Sequence, residues 1–291
     1  MDRRRFLAGA TATLCLMPGA LNAETKKEDP LMTDPKYAVS VDGTKVAYWS
    51  TGEGPTLVIV AGAFNDHNTG AELAAELAKS YTVVTYDRRG RGASGDTPGY
   101  APQKEIDDLA AVVKSNGGSA VALGFSSGGS LVLMAAAGGV PLSKLILVEA
   151  PWMLSEARPR PALDLAKRLR SLAEGGKQGE AVELFQRDYI GMPDTIIAQM
   201  RHAPFRPFLE EMALTTSYDA EIMGDLTLPE GLLPKVTQPT LLLAGEKSPP
   251  WMAETASTIA KALPEGAADV VAGIGHDLTP EIAPYVFEFL E

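Results

Sequence analysis

One serine stands in a five-residue pattern that is typical of a reactive hydroxyl group. The residues Gly124-Phe125-Ser126-Ser127-Gly128 follow an apolar run, Ser119–Gly124, and precede a stretch of helical composition from Ser127 to about Ala137. In this G-x-S-x-G pattern the serine sits on a sharp turn between a strand and a helix, and its neighbours two residues away must be small. We therefore predict that the turn lifts the Ser126 hydroxyl above a sheet, where Ser126 acts as a nucleophile.

A serine hydroxyl needs a base to become nucleophilic. The chain has three histidines, and His276 lies in Gly273-Ile274-Gly275-His276-Asp277, between the last apolar run and the last helical stretch. His67 lies in an early loop, and His202 lies in a helical region where a surface or packing role is more common. The sequence thus favours His276 as the general base.

The elements that must position these residues follow from the alternation of apolar runs with helical patterns. This alternation favours an α/β fold with a mainly parallel sheet flanked by helices. The predicted strands are Tyr37–Val41, Lys45–Trp49, Thr56–Ala61, Tyr81–Tyr86, Ser119–Gly124, Lys144–Val148, Thr240–Ala244 and Ala268–Val271.

The alternation is interrupted once, between residues 151 and 235. That stretch contains helical segments punctuated by prolines and no convincing strand. We predict a helical cap at 151–235, inserted between two parts of an α/β core at 36–150 and 236–291.

The first residues are predicted to lie outside the fold. Arg3-Arg4-Arg5 precede Phe6-Leu7 and a short apolar stretch that ends in small residues before Glu24. This arrangement is typical of a secretory signal, and the spacing resembles a twin-arginine signal. We predict a signal peptide at 1–23, a tether at 24–35, and export to the periplasm or the medium. The apolar stretch, which holds the single cysteine Cys15, is too short to anchor the protein stably in a membrane.

Composition excludes several classes of function. Hydrophobic residues make up 45% and charged residues 22% of the chain, which is typical of a globular protein. The formal net charge of −11, without a cluster of Lys and Arg, argues against nucleic-acid binding. No cluster of metal-ligating residues stands out, so we expect no metal and no organic cofactor.

Four features in the correct order resemble the α/β-hydrolase superfamily. They are Gly62 after a buried run, the loop from Tyr86 to Ser94, the serine turn, and Gly275-His276-Asp277. The resemblance implies an α/β-hydrolase fold with the chain order nucleophile, acid, histidine. It further implies that the backbone N–H groups of Ala63 and Ser127 hold the oxyanion, and that the Asp87–Ser94 loop is structural rather than anion-binding.

The acid is where the sequence departs from many of these relatives. They carry an Asp in a Gly-x-x-Asp pattern, whereas this chain has Gly245-Glu246-Lys247-Ser248. A serine cannot supply the negative charge that stabilises an imidazolium ion. Two candidates remain, Glu149 at the end of the Lys144–Val148 strand and Glu246, and the sequence favours Glu149.

These residues indicate a serine hydrolase that cleaves a small-molecule ester or lactone through an acyl-enzyme on Ser126. Trp152, which lies just after the end of the predicted Lys144–Val148 strand, is predicted to contact the substrate. The same residues would also serve a cofactor-free perhydrolase or C–C hydrolase. A slow-turnover ligand-binding receptor of the same fold is the alternative from a different class.

Overall fold

The structure, a computed structural model, describes residues 34–291. The predicted signal peptide at 1–23, including Cys15, lies outside the described residues. So does all of the predicted 24–35 tether except its last two residues. The predictions about export therefore stay predictions.

A mixed sheet forms the centre of the described part of the chain. Its strands are β1 (Lys36–Val39), β2 (Lys45–Thr51), β3 (Thr56–Val60), β4 (Thr82–Tyr86), β5 (Ala120–Phe125), β6 (Leu142–Val148), β7 (Thr240–Gly245) and β8 (Gly266–Val271). They lie in the order β1-β2-β4-β3-β5-β6-β7-β8. The pairs β1/β2 and β2/β4 are antiparallel, and the remaining pairs are parallel, which confirms the predicted mainly parallel sheet.

Helices cover both faces of the sheet. They are α1 (Ala71–Leu77), α2 (Pro102–Ser115), α3 (Ser127–Ala137), α9 (Pro250–Ala262) and α10 (Ala283–Leu290). Alternate β3 residues show the two layers: Val58 belongs to the apolar cluster with α2, α3 and α9, and Leu57 to the cluster with α1 and α10. This burial on both faces explains why the central strands are continuous apolar runs.

Between β6 and β7 the chain forms five α-helices, with no strand in the described residues. They are α4 (Leu165–Glu174), α5 (Gln178–Phe185), α6 (Asp194–Met200), α7 (Arg206–Glu211) and α8 (Thr215–Met223). These helices, called the cap below, build an apolar cluster of their own that includes Leu169, Val182 and Phe185. Helix α8 differs from the others because nearly all of its residues are buried, so it lies between the outer cap helices and the core.

Candidate active site

Ser126 occupies the turn between β5 and α3 in a strained backbone conformation. Its φ of 53° and ψ of −124° are rarely adopted by a residue with a side chain. A Cβ on Gly124 would lie 2.6 Å from the Gly128 carbonyl oxygen, and one on Gly128 would overlap the Val60 carbonyl oxygen. The two glycines of the motif are thus required by close backbone contacts, as the sequence pattern predicts.

His276 lies beside this turn and contacts a buried carboxylate. Its Nδ1 is 2.9 Å from Oε2 of Glu149, and its ring centroid is 4.8 Å from that of Phe125, the residue before Ser126. The Glu149 side chain is fully buried, whereas the His276 side chain is 30% exposed. Because Nδ1 faces the carboxylate, Nε2 is the ring nitrogen left to exchange a proton with another group.

Glu149 is held in place by residues of the neighbouring strand end. The Gly245 N–H donates to its Oε1 at 2.6 Å, and the Ser248 hydroxyl donates to its Oε2 at 2.8 Å. Its φ of 55° is a second strained backbone angle at the site. These two hydrogen bonds fix the orientation of the Glu149 side chain beside His276. Ser248, in the position where an Asp was expected from the resemblance, therefore holds the Glu149 carboxylate instead.

Glu246 is the sequence's other candidate acid, and it lies elsewhere. Its side chain is exposed and accepts a hydrogen bond from the Gly273 N–H at 2.8 Å. Of the two glutamates, the structure brings Glu149 to His276.

The loop after β3 lies directly against Ser126. A Cβ on Gly62 would lie 2.9 Å from Cβ and 3.5 Å from Oγ of Ser126, so only a glycine leaves room for the serine. Ala63 is the next residue, and Ser127 is the first residue of α3. The first N–H groups of a helix have no partner within the helix, so the Ser127 N–H is available for a ligand. Both predicted oxyanion donors thus flank Ser126.

The loop from Asp87 to Ser94 carries three arginines with buried carboxylate partners. Arg88 pairs with Glu105 at 2.6 Å, Arg89 with Asp108 at 2.7 Å, and Arg91 with Asp219 of α8 at 2.7 Å. These contacts agree with the predicted structural role, since the guanidinium groups are already occupied by protein carboxylates.

Opposite charges outweigh burial in setting the pKa values at the centre of this network. Burial by itself raises the pKa of Asp219, but the charges of Arg91 and Arg88 hold it below its ordinary value. Burial lowers the pKa of Arg88, but Glu105 and Asp219 raise it well above its ordinary value. In the folded protein the Asp219 carboxylate and the Arg88 guanidinium group are therefore more stable in their ionised forms.

Trp152, the predicted substrate contact, is almost completely buried in the core. Its side chain is 1% exposed and belongs to the apolar cluster under α2, α3 and α9, together with Leu145, Ile222 and Leu242. Its position gives no support to the predicted substrate contact, because a large apolar side chain after a buried strand has been drawn into the core instead.

The other two histidines are placed away from the Glu149 carboxylate. His67 has its Nδ1 2.8 Å from the buried carboxylate of Asp87 and stacks on Trp49 at 3.5 Å between ring centroids. His202 is exposed on the cap. His276 is the histidine that the structure brings to both Glu149 and the Ser126 turn.

Residues 34–291 contain no group of three or more His, Cys, Asp or Glu side chains arranged to hold a metal ion. No helix in this part of the chain has the length and apolar character needed to cross a membrane.

Sheet and site together define an α/β protein with a nucleophile turn, a histidine and a carboxylate at the carboxyl ends of its parallel strands. The sequence matches the α/β hydrolase family over residues 57–286, and the chain belongs to that family. The family match and the sheet order confirm the predicted fold.

Three known proteins illustrate the likeness. An α/β hydrolase from Sphaerobacter thermophilus DSM 20745 superposes with a TM-score of 0.81 and 41% identity, covering 88% of this chain and 100% of that chain. The esterase RhEst1 from Rhodococcus sp. ECU1013 gives a TM-score of 0.63 over 89% of this chain and 98% of that chain; its 22% identity shows the fold alone. The uncharacterized hydrolase YraK from Bacillus subtilis is 36% identical over 80 residues, which span 26% of this chain and only 30% of YraK.

Proposed function

We propose that this protein is a serine hydrolase that cleaves carboxylic esters or lactones through an acyl-enzyme on Ser126. The observation that carries the proposal is the pairing of His276 with the buried Glu149 beside a strained serine turn. Membership of a family named for hydrolases supports the reaction class. It does not identify the substrate, because one fold hosts many activities.

The proposed reaction has two steps. Ser126 Oγ attacks the carbonyl carbon while His276 Nε2 takes its proton, and the N–H groups of Ala63 and Ser127 stabilise the negative oxygen. The carbonyl re-forms as the bond to the leaving oxygen breaks, and His276 returns the proton to that oxygen. A water molecule, deprotonated by His276, then attacks the acyl-enzyme and releases the acid and free Ser126. Throughout, Glu149 holds Nδ1 and stabilises the imidazolium ion.

The surroundings of the loop after β3, which carries Ala63, favour a substrate with an apolar acyl or alcohol group. Ala63 and Phe64 are partly exposed and pack against the apolar cluster of the cap. The Phe64 ring meets that of Phe185 edge-to-face at 5.3 Å. A substrate that reaches the oxyanion donors must therefore pass aromatic and aliphatic surface, where an apolar group is stabilised by leaving water.

The first experiment compares hydrolysis of p-nitrophenyl acetate and butyrate by the wild-type protein and by Ser126→Ala. We expect the variant to lose at least about 10³-fold in kcat/KM with an unchanged circular dichroism spectrum. Ser130→Ala is the matched control, since Ser130 is a buried serine of α3, the helix that follows Ser126, and its hydroxyl has no hydrogen-bond partner among the described residues. Equal rates in wild type and Ser126→Ala would remove the proposed nucleophile. Tight ligand binding without turnover would favour the receptor alternative.

A panel of esters and lactones with apolar, sugar and charged groups then tests the substrate class. A preference for charged or sugar esters would contradict the apolar assignment while leaving the nucleophile intact. Turnover that depends on hydrogen peroxide would point to the perhydrolase alternative.

A further inference from the structure

Asp219, on helix α8 of the cap, contacts Ser127, one proposed oxyanion donor, and Arg91, which contacts the loop that carries the other. Its Oδ2 accepts from Arg91 at 2.7 Å, and its Oδ1 accepts from the hydroxyl of Ser127 at 2.7 Å. Arg88 donates to the same Oδ1 at 2.8 Å. All of these side chains are almost completely buried, so water does not compete for the contacts.

Arg91 extends this contact to the loop over the nucleophile. Its Nη1 donates to the Gly62 carbonyl oxygen at 2.5 Å, while Nη2 holds Asp219. Two further side chains fix the neighbouring carbonyls: Arg88 donates to Ala61 and Asn65 to Ala63. The three successive carbonyl groups of the loop thus each have a side-chain partner.

The orientation of one peptide group connects Arg91 to catalysis. In a trans peptide the C=O of one residue and the N–H of the next point in opposite directions, and no cis peptide bond occurs in the described residues. When Arg91 holds the Gly62 oxygen in the buried network, the Ala63 N–H is turned away from that network. Gly62 itself lies against Ser126, because a Cβ on Gly62 would come within 2.9 Å of the Ser126 Cβ.

We propose that Arg91 and Asp219 are positioning residues of the oxyanion hole, and that α8 of the cap thereby sets the geometry of both donors. This inference rests on the proposed hydrolase function. Arg91 orients the Ala63 N–H through the Gly62 carbonyl, and Asp219 fixes Ser127, whose N–H is the second donor. The ion pair also keeps the negative charge of Asp219 neutralised, so that it does not oppose the developing oxyanion.

The chain provides a matched control in the same loop. Arg89 is as buried as Arg91 and likewise pairs with a buried carboxylate, Asp108, but its other partners are Asp42, Thr97 and the Lys104 carbonyl. Arg89→Met and Arg91→Met should therefore cost comparable stability, because each removes a guanidinium group that pairs with a buried carboxylate. Only the second should disturb the oxyanion hole.

The test measures kcat and KM for p-nitrophenyl butyrate and the inhibition constant of butylboronic acid. Boronic acids form a tetrahedral adduct with a catalytic serine and so mimic the transition state. For Arg91→Met we expect kcat to fall about 30- to 300-fold, since losing an oxyanion donor costs about 10²–10³. KM should change less than about threefold, and boronate binding should weaken in proportion to kcat/KM. Asp219→Asn should also lose kcat and boronate affinity in proportion, but to a smaller extent. Arg89→Met should keep kcat and the inhibition constant near their wild-type values.

Other outcomes separate this inference from the function on which it rests. A wild type that hydrolyses through Ser126, with Arg91→Met and Arg89→Met alike in kcat and boronate affinity, would overturn the positioning role alone. Equal rates of wild type and Ser126→Ala would overturn the proposed function. If Arg91→Met does not fold, Arg91→Lys takes its place. Its single ammonium group cannot hold both Gly62 and Asp219 in the guanidinium geometry, and full retention of kcat in that variant would refute the inference.

Discussion

Replacement of Glu149 by Gln tests the proposed acid most directly, because the structure dictates which way the new amide must point. The Gly245 N–H donates to Oε1 of Glu149 at 2.6 Å, so the amide oxygen of the introduced side chain has to take that position. The NH₂ group then occupies the place of Oε2, which is 2.9 Å from His276 Nδ1. An N–H donor facing Nδ1 stabilises the tautomer that carries its hydrogen on Nε2, and this tautomer cannot accept the Ser126 proton.

The expected loss is therefore large. Stabilising the wrong histidine tautomer while keeping the geometry costs about 10⁴-fold in kcat in the serine-protease template, which corresponds to about 5.5 kcal/mol. We expect the same order for Glu149→Gln, with KM nearly unchanged because the substituted group does not contact the substrate.

The assay is steady-state hydrolysis of p-nitrophenyl butyrate, with Glu246→Gln as the matched control. Glu246 is exposed, and its amide replacement can still accept the Gly273 N–H, so its kcat should stay within about twofold of wild type. Thermal unfolding of both variants shows that the comparison is made on folded protein. If Glu149→Gln kept more than about a tenth of the wild-type kcat, or if Glu246→Gln suffered the larger loss, Glu149 would not be the acid.

Three further predictions follow from neighbouring contacts. Ser248→Ala removes a hydrogen bond to the Glu149 carboxylate and should lower kcat about tenfold, since such a bond contributes about 1.5 kcal/mol; Ser248→Thr should keep most of the activity. Gly128→Ala places a methyl group against the Val60 carbonyl and should lower the free energy of unfolding by about 1–3 kcal/mol in urea titrations, so wild-type stability would refute the close approach. Asp219 has a lowered pKa in the folded protein, so its stabilising effect is complete above its unfolded pKa of about 4 and is lost as the pH falls below it. Asp219→Asn should thus be less stable than wild type at pH 7, and urea midpoints at pH 7 and pH 3 should show a smaller acid-induced loss than in wild type.

The parts of the site that are local in sequence could be predicted, and the reason is geometric. The turn around Ser126 can be recognised because its glycines are required by contacts within a few residues and with the adjacent strand. His276 could be found because few histidines are present and its loop follows the last strand. The sequence already favours Glu149 over Glu246, but the contact that supports this choice depends on the register of β6 and β7, which places the end of one strand beside the turn after the other.

Asp219 was out of reach of sequence reasoning. It is 92 residues from Ser127 and 128 residues from Arg91 along the chain. Helix α8 is buried nearly all round, so it lacks the apolar stripe that marks a helix face in a sequence. The Asp87–Ser94 loop with its three arginines was predicted to be structural, but the sequence does not indicate which carboxylates pair with them. The burial of Trp152 could not be predicted for a related reason: an aromatic residue after a strand fits a pocket wall and a core equally well in sequence.

The anchoring of α8 also limits how a substrate can enter. Lifting this helix off the core would separate Asp219 from two buried guanidinium groups and leave Arg91 without the carboxylate that it pairs with, which is costly because these charges are buried. The cap therefore consists of an inner helix, α8, which ion pairs hold to the core, and of the outer helices α4 to α7. Where these outer helices meet Phe64, the contacts described are apolar and aromatic, such as the edge-to-face pair with Phe185. Ser126 is itself partly exposed, so we expect a substrate to reach it along this apolar surface while α8 and the residues that it holds stay in place.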